Sequence, residues 1–130
     1  MELIANGALG PGKLGLDATF QDPRDDDLDQ PLTRRARTVA AVDYRVPVLG
    51  WEAGAWVRYT GPRPDIDPVT FATVEAPART TLGLSLQHAI APGWTLAVKV
   101  DNLANSDTPE VLGYTAPPRS ILFQVRGQWQ

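Results

Sequence analysis

The chain contains no cysteine, a single histidine and no long hydrophobic run. Without cysteine there is neither a disulfide framework nor a thiolate metal site. With His88 alone, paired-histidine metal motifs and histidine clusters are excluded. No apolar stretch approaches the roughly 18 residues expected of a membrane-spanning helix, because Asp, Arg, Gly or Gln interrupts the hydrophobic segments every second or third position. Positive charge is not in excess either. A net charge of -3 removes the basic footprint on which nucleic-acid binding depends, so no nucleic-acid partner is expected. Nucleophile-elbow, P-loop and dinucleotide-binding motifs are also missing, and with them the common routes to an enzyme or a bound cofactor.

What is present is period two. At 130 residues the chain is a one-domain length. From Lys13 to Gln21, Leu14, Leu16, Ala18 and Phe20 alternate with Gly15, Asp17, Thr19 and Gln21. Trp51, Ala53, Ala55, Val57 and Tyr59 oppose Glu52, Gly54, Trp56 and Arg58. The same alternation runs from Thr81 to His88, from Trp94 to Asp101 and from Ile121 to Trp129. Thr38 to Val46 is noisier, and Met1 to Ala8 makes a weaker first strand. Alternation of this kind predicts half-buried strands. The fold class expected is all-β, an antiparallel up-and-down meander of about seven strands.

The connections carry a second signal. Gly10-Pro11-Gly12, Pro47 to Gly50 and Ala91-Pro92-Gly93 are tight turns, while Asp22 to Arg35, Gly61 to Ala78 and Asn102 to Pro118 are long and polar. Short and long alternate strictly. A soluble sandwich has no reason to keep that rhythm, whereas a transmembrane barrel has short turns on one side of the membrane and long loops on the other. Trp51 and Trp94 follow short turns and Trp129 ends the last strand on that side, while Phe20, Tyr59 and Phe123 are assigned to the long-loop ends. Aromatic girdles at both interfaces are expected of a membrane barrel. His88 falls by parity on the apolar face near a short turn, as an interfacial side chain and away from any aqueous site.

In this order, Val100-Asp101-Asn102-Leu103, Gly113-Tyr114, Arg119-Ser120 and a final alternating strand resemble the C-terminal end of TonB-dependent outer-membrane receptors. Asp22 to Asp25, Gln30-Pro31-Leu32, Arg34-Arg35-Ala36, Arg58 to Gly61 and Pro92 to Trp94 extend the resemblance over nearly the whole chain, closest to the cobalamin and siderophore receptors. The resemblance implies that residues 1–130 are the C-terminal part of a plugged barrel of about 22 strands. It implies an outer-membrane location in a Gram-negative bacterium, and a parent that takes up a metal chelate such as a siderophore, or cobalamin. The partners implied are outer-membrane lipid and the barrel-assembly machinery, which would engage the terminal strand through Phe123, Val125 and Trp129. The TonB complex and the small ligand would engage regions of the parent that this sequence lacks. No plug and no TonB box is recognised, Pro118 stands where the family usually has Gly, and Gln130 follows the aromatic that is normally last. Met1-Glu2-Leu3-Ile4 begins directly in strand-like sequence with no secretory signal, so the chain is expected to be a piece of something longer.

Two groups of polar residues remain. Asp22, Asp25, Asp26, Asp27 and Asp29 form a dense acidic loop that could offer oxygen ligands to Ca²⁺. Its spacing is not that of an EF-hand, and a solvated loop balanced by Arg34, Arg35 and Arg37 is the default. Asp17, Asp43, Arg45, Glu52, Arg58, Lys99, Asp101 and Arg126 share the polar parity and would line a lumen. The competing expectation is a soluble β-sandwich or small barrel that binds a ligand or partner, with the Leu14, Leu82 and Val98 faces packed against a second sheet.

Overall fold

The computed structural model describes residues 1–25 and 27–128. The strands in chain order are β1 (Glu2–Leu9), β2 (Gly12–Phe20), β3 (Arg24–Asp25), β4 (Gln30–Pro31), β5 (Thr38–Val48), β6 (Trp51–Thr60), β7 (Arg63–Ile66), β8 (Thr73–Ala76), β9 (Arg79–Ala91), β10 (Trp94–Asp101) and β11 (Ser120–Gly127). Seven of them form one sheet in the order β1-β2-β5-β6-β9-β10-β11, every pair antiparallel. The expected all-β antiparallel meander is therefore the observed fold. The remaining four make two small ribbons, β3-β4 and β7-β8, inside the first two long connections. Sequence reading left those stretches as loops, because runs of two and four residues containing Pro31 and Pro64 are too short to show a period.

Each short connection is a two-residue turn with its own backbone solution. At Leu49-Gly50 both residues have positive φ, 50° and 82°, the type I′ combination whose twist matches the flanking strands. At Pro92-Gly93 only Gly93 is positive, at 75°, and the register slips directly afterwards. Trp94 pairs with Ala91 and Thr95 with Ala89, so Ile90 is the extra residue of a bulge.

The register sorts the side chains into two faces. One row across the sheet reads Gly7, Leu14, Tyr44, Ala55, Leu84, Val100, Ile121. A row of opposite parity reads Ala8, Lys13, Arg45, Gly54, Ser85, Lys99, Leu122. On the first face no strand of the sheet places an Asp, Glu, Lys or Arg. The second face carries all eight of the polar residues expected to line a lumen, from Asp17 to Arg126.

Nothing in the described chain covers the apolar face. Leu84, Ile121, Phe123 and Val125 are all exposed on it, Phe123 to 72%. Substantial contacts between strands run only between ladder neighbours, and β1 and β11 are the two edges of the sheet, not paired with each other. The sheet is thus a single open layer and not a closed barrel, and the second layer that a sandwich requires is not present among the described residues. One placement needs correction. Phe123 is not at the long-loop end: Ser120 pairs with Asp101 at that rim, so Phe123 lies mid-strand opposite Val98. Trp129, assigned to the opposite rim, lies outside the described residues.

Candidate functional site

Three surfaces carry the chemistry, and the register sets all of them. At the short-turn rim, aromatic rings bend back onto the backbone. Trp51 stacks on His88 with centroids 4.7 Å apart and planes 26° from parallel. The His88 Nδ1 lies 2.7 Å from the carbonyl of Gly50, so this imidazole is tied to the turn. The Tyr44 hydroxyl donates to the Leu9 carbonyl at 2.9 Å. Its ring lies over Gly12, where a Cβ would stand 2.5 Å from the ring, so glycine is what lets the ring lie flat. Trp94 uses Gly127 in a similar way, with a virtual Cβ 3.1 Å from its ring. Rings with an apolar body and a polar atom turned to the strand end are suited to a boundary between an apolar and an aqueous medium.

The polar face has its own aromatic. Trp56 lies on Gly83, where a Cβ would come within 2.0 Å of the indole. The Lys99 ammonium stands 5.1 Å and the Arg58 guanidinium 5.8 Å from the Trp56 ring centroid, both within cation–π range. Lys99 also pairs with Asp101 at 3.0 Å, and Gln87 donates to Glu52 at 2.6 Å. A depression of about 360 Å³ around Trp56 is lined by Asp43, Arg45, Glu52, Arg58 and Lys99 among others. Five of the eight expected lumen residues therefore meet on one shallow, charged, hydrogen-bonded surface, and Asp17, Asp101 and Arg126 lie outside it.

The long-loop rim holds the buried polar groups of the described residues, Arg63, Asp65 and Asn102. Asp65, on β7, has no solvent exposure. Its Oδ1 accepts from Arg34 Nε at 3.0 Å and from its neighbour Ile66 N at 2.8 Å, and its Oδ2 accepts from Leu112 N at 2.8 Å. One carboxylate thus joins all three long connections. The amide of Leu112, then the Arg34 and Ile66 donors, hold the Asp65 pKa down at about 2 against the opposing effect of burial. Arg63 donates from Nη2 to the Glu110 carbonyl, and the Glu110 carboxylate lies 3.5 Å from Arg79. Asn102 organises the third connection from within. Its amide donates to the carbonyls of Ser106 and Pro117 and its oxygen accepts from Ser106 N, all at 2.9 Å. It holds φ at 50°, a conformation that Asn tolerates better than most side chains.

The acidic loop is spread among local partners. Arg24 bridges Asp22 at 3.1 Å and Asp29 at 2.9 Å, which raises its pKa, the Asp22 bond first. Arg37 reaches Asp22 at 3.2 Å. Asp25 accepts from the amides of Asp27 and Leu28, a turn-forming use of its carboxylate. Asp26 lies outside the described residues, and among the described ones no three acidic or histidine side chains converge on a common point. Of the terminal-strand residues, Phe123 and Val125 sit exposed on the apolar face of the edge strand β11.

Sequence reasoning missed Asp65 and Arg63 entirely and treated Asn102 only as part of a motif. Nothing in the segment Pro64-Asp65-Ile66-Asp67-Pro68 sets Asp67 apart from Asp65. Its three bonding partners are remote in sequence, or are backbone amides, and leave no pattern. Against known protein families, no family model matches the chain.

Proposed function

We propose that this chain is a section of an outer-membrane β-barrel wall of the TonB-dependent receptor kind, whose complete parent takes up a scarce ligand such as a metal chelate or cobalamin. The observation that carries this reading is the charge-free, uncovered face of the single-layer sheet. Water is a poor neighbour for such a face: monomeric soluble proteins rarely leave contiguous apolar patches above a few hundred Å². Lipid is a good one, and there a charged residue near the midplane costs about 2–4 kcal/mol, which accounts for the absence of charge. The backbone supports the same reading. Strand direction alternates across seven strands, so β1 and β11 both run from the long-loop rim to the short-turn rim. They cannot pair with each other antiparallel. Closure requires an odd number of further strands from additional polypeptide, as an arc of a larger barrel would receive.

The test is solubility and depth together. Residues 1–130 should aggregate in plain buffer and gain β-structure by far-UV circular dichroism only in detergent or lipid. In lipid, chain-brominated phospholipid should quench a variant whose sole tryptophan is Trp94 more than one whose sole tryptophan is Trp56. A monodisperse, cooperatively melting monomer in buffer would overturn the membrane reading.

A further inference from the structure

We propose that the long-loop rim contains an oxyanion-binding site, a recess of about 340 Å³ walled by Arg34, Arg35, Arg63 and Arg79 around Glu110. Four guanidinium groups meet there in a protein whose net charge is -3. Among the described residues only two of them have a carboxylate partner: Arg34 is paired with Asp65, and Arg79 reaches Glu110 at the long distance of 3.5 Å. Arg35 and Arg63 are therefore the uncompensated pair. Arg63 is 4% exposed, and its Nη1 and the Nε of Arg79 are buried donors with no acceptor. A buried donor left unpaired carries its full desolvation penalty, more for a charged group. An arriving oxyanion would supply the acceptors, and guanidinium forks match carboxylate and phosphate oxygens two at a time.

The placement also selects the source. The floor of the recess is Val39, Thr60 and the base of Arg79, a row that belongs to the polar face of the sheet. Arg35 and Arg63 are shared with a second recess of about 460 Å³ that also holds Arg37. The opening is thus on the water side, and the ligand class is a soluble carboxylate or phosphate group presented from solution. Glu110 is the built-in competitor: swinging its carboxylate away from Arg79 frees that fork. The site depends on the three connections packing around Asp65, and not on whether the opposite face meets lipid.

Inorganic phosphate and citrate are the probes, titrated calorimetrically into the full chain folded in a zwitterionic detergent, with chloride held constant. Saturable binding is expected. Arg35→Gln should weaken it by about tenfold, the loss of one charge-assisted hydrogen bond. Glu110→Gln should strengthen it by a factor of about three or more, because it removes the competing charge while keeping the shape. Arg35 is exposed and lies outside the buried hydrogen-bonded cluster, so its variant retains the fold even where Arg63→Met does not. Absence of saturable binding by either probe, or affinities unchanged in both Arg35→Gln and Glu110→Gln, would overturn the proposal. Failure of the membrane reading would show instead as a soluble monomer in buffer, which leaves this titration interpretable.

Discussion

The sheet and its loops are stabilised in opposite ways. The sheet holds most of the chain's large hydrophobic side chains and almost no interior: of its apolar residues only Ala18 is buried. The three long connections are rich in charge and proline, yet Ala36, Arg63, Asp65, Ala76, Asn102 and Ala116 are all buried there. In a water-soluble domain the apolar strands would supply the core and the polar loops would be solvated. Here the loops enclose their own interior around hydrogen-bonded charge, and the strands contribute only ladders to one another. The lesson is that the loops carry their own means of ordering, while the sheet depends on a medium or partner outside the chain.

The largest expected effect tests the sheet side of that contrast. Leu84→Arg places a charge in the middle of the apolar face and should destabilise the lipid- or detergent-folded state by about 2–4 kcal/mol. Thr81→Arg, three residues earlier on the same strand and on the polar face, should stay within about 0.5 kcal/mol. Urea titrations followed by tryptophan fluorescence read both, and equal costs for the two would erase the distinction between the faces.

On the loop side, Asp65→Ala removes acceptors from three donors at once and should cost about 2–3 kcal/mol of loop order. Slower tryptic cleavage at Arg34 in the parent chain than in the variant is the readout. The same carboxylate predicts an acid response of definite sign. Its folded pKa of about 2 lies below the unfolded value of about 3.9, so its contribution is complete above about pH 5. That contribution drains away as pH falls from there through about 2, and Asp65→Ala should show no such window. Loops that loosen while strand circular dichroism persists would sharpen the contrast between the two regions.

A smaller effect tests the polar face, where ring and glycine are interlocked. Gly83→Ala drives a methyl group into the Trp56 indole and should cost about 1–3 kcal/mol by overpacking. The double variant with Trp56→Ala should recover most of that loss. A single variant as stable as the parent would mean that the ring can leave Gly83 freely.

How much of this was legible in advance depends on the range of the interaction. Strand positions and face parity followed from local alternation: Trp51, Ala53, Ala55, Val57 and Tyr59 share a face because consecutive side chains point to opposite sides. The turns were legible for the same reason, since Gly10, Gly50 and Gly93 supply the positive φ that a two-residue reversal demands. Phe123 was misplaced because a strand's start cannot be read to within a few residues when a long proline-bearing loop precedes it. The ribbons and the Asp65 cluster were illegible because nothing local distinguishes Arg34 from Arg35, or Asp65 from Asp67. Asp67 only caps its own turn, accepting from the amides of Thr70 and Val69, which lower its pKa, Thr70 the more.

Sequence alone determined the all-β class, the meander, the alternation of short turns with long connections, and the separation of a charge-free face from a charged one. Each of these is a nearest-neighbour property of a pleated chain. Tertiary structure alone decided that the apolar face is left uncovered, that the two edge strands point the same way without pairing, and that three polar loops close over one buried aspartate. Those outcomes depend on contacts between residues tens of positions apart, where charge pairing and steric fit select one partner among several chemically equivalent ones.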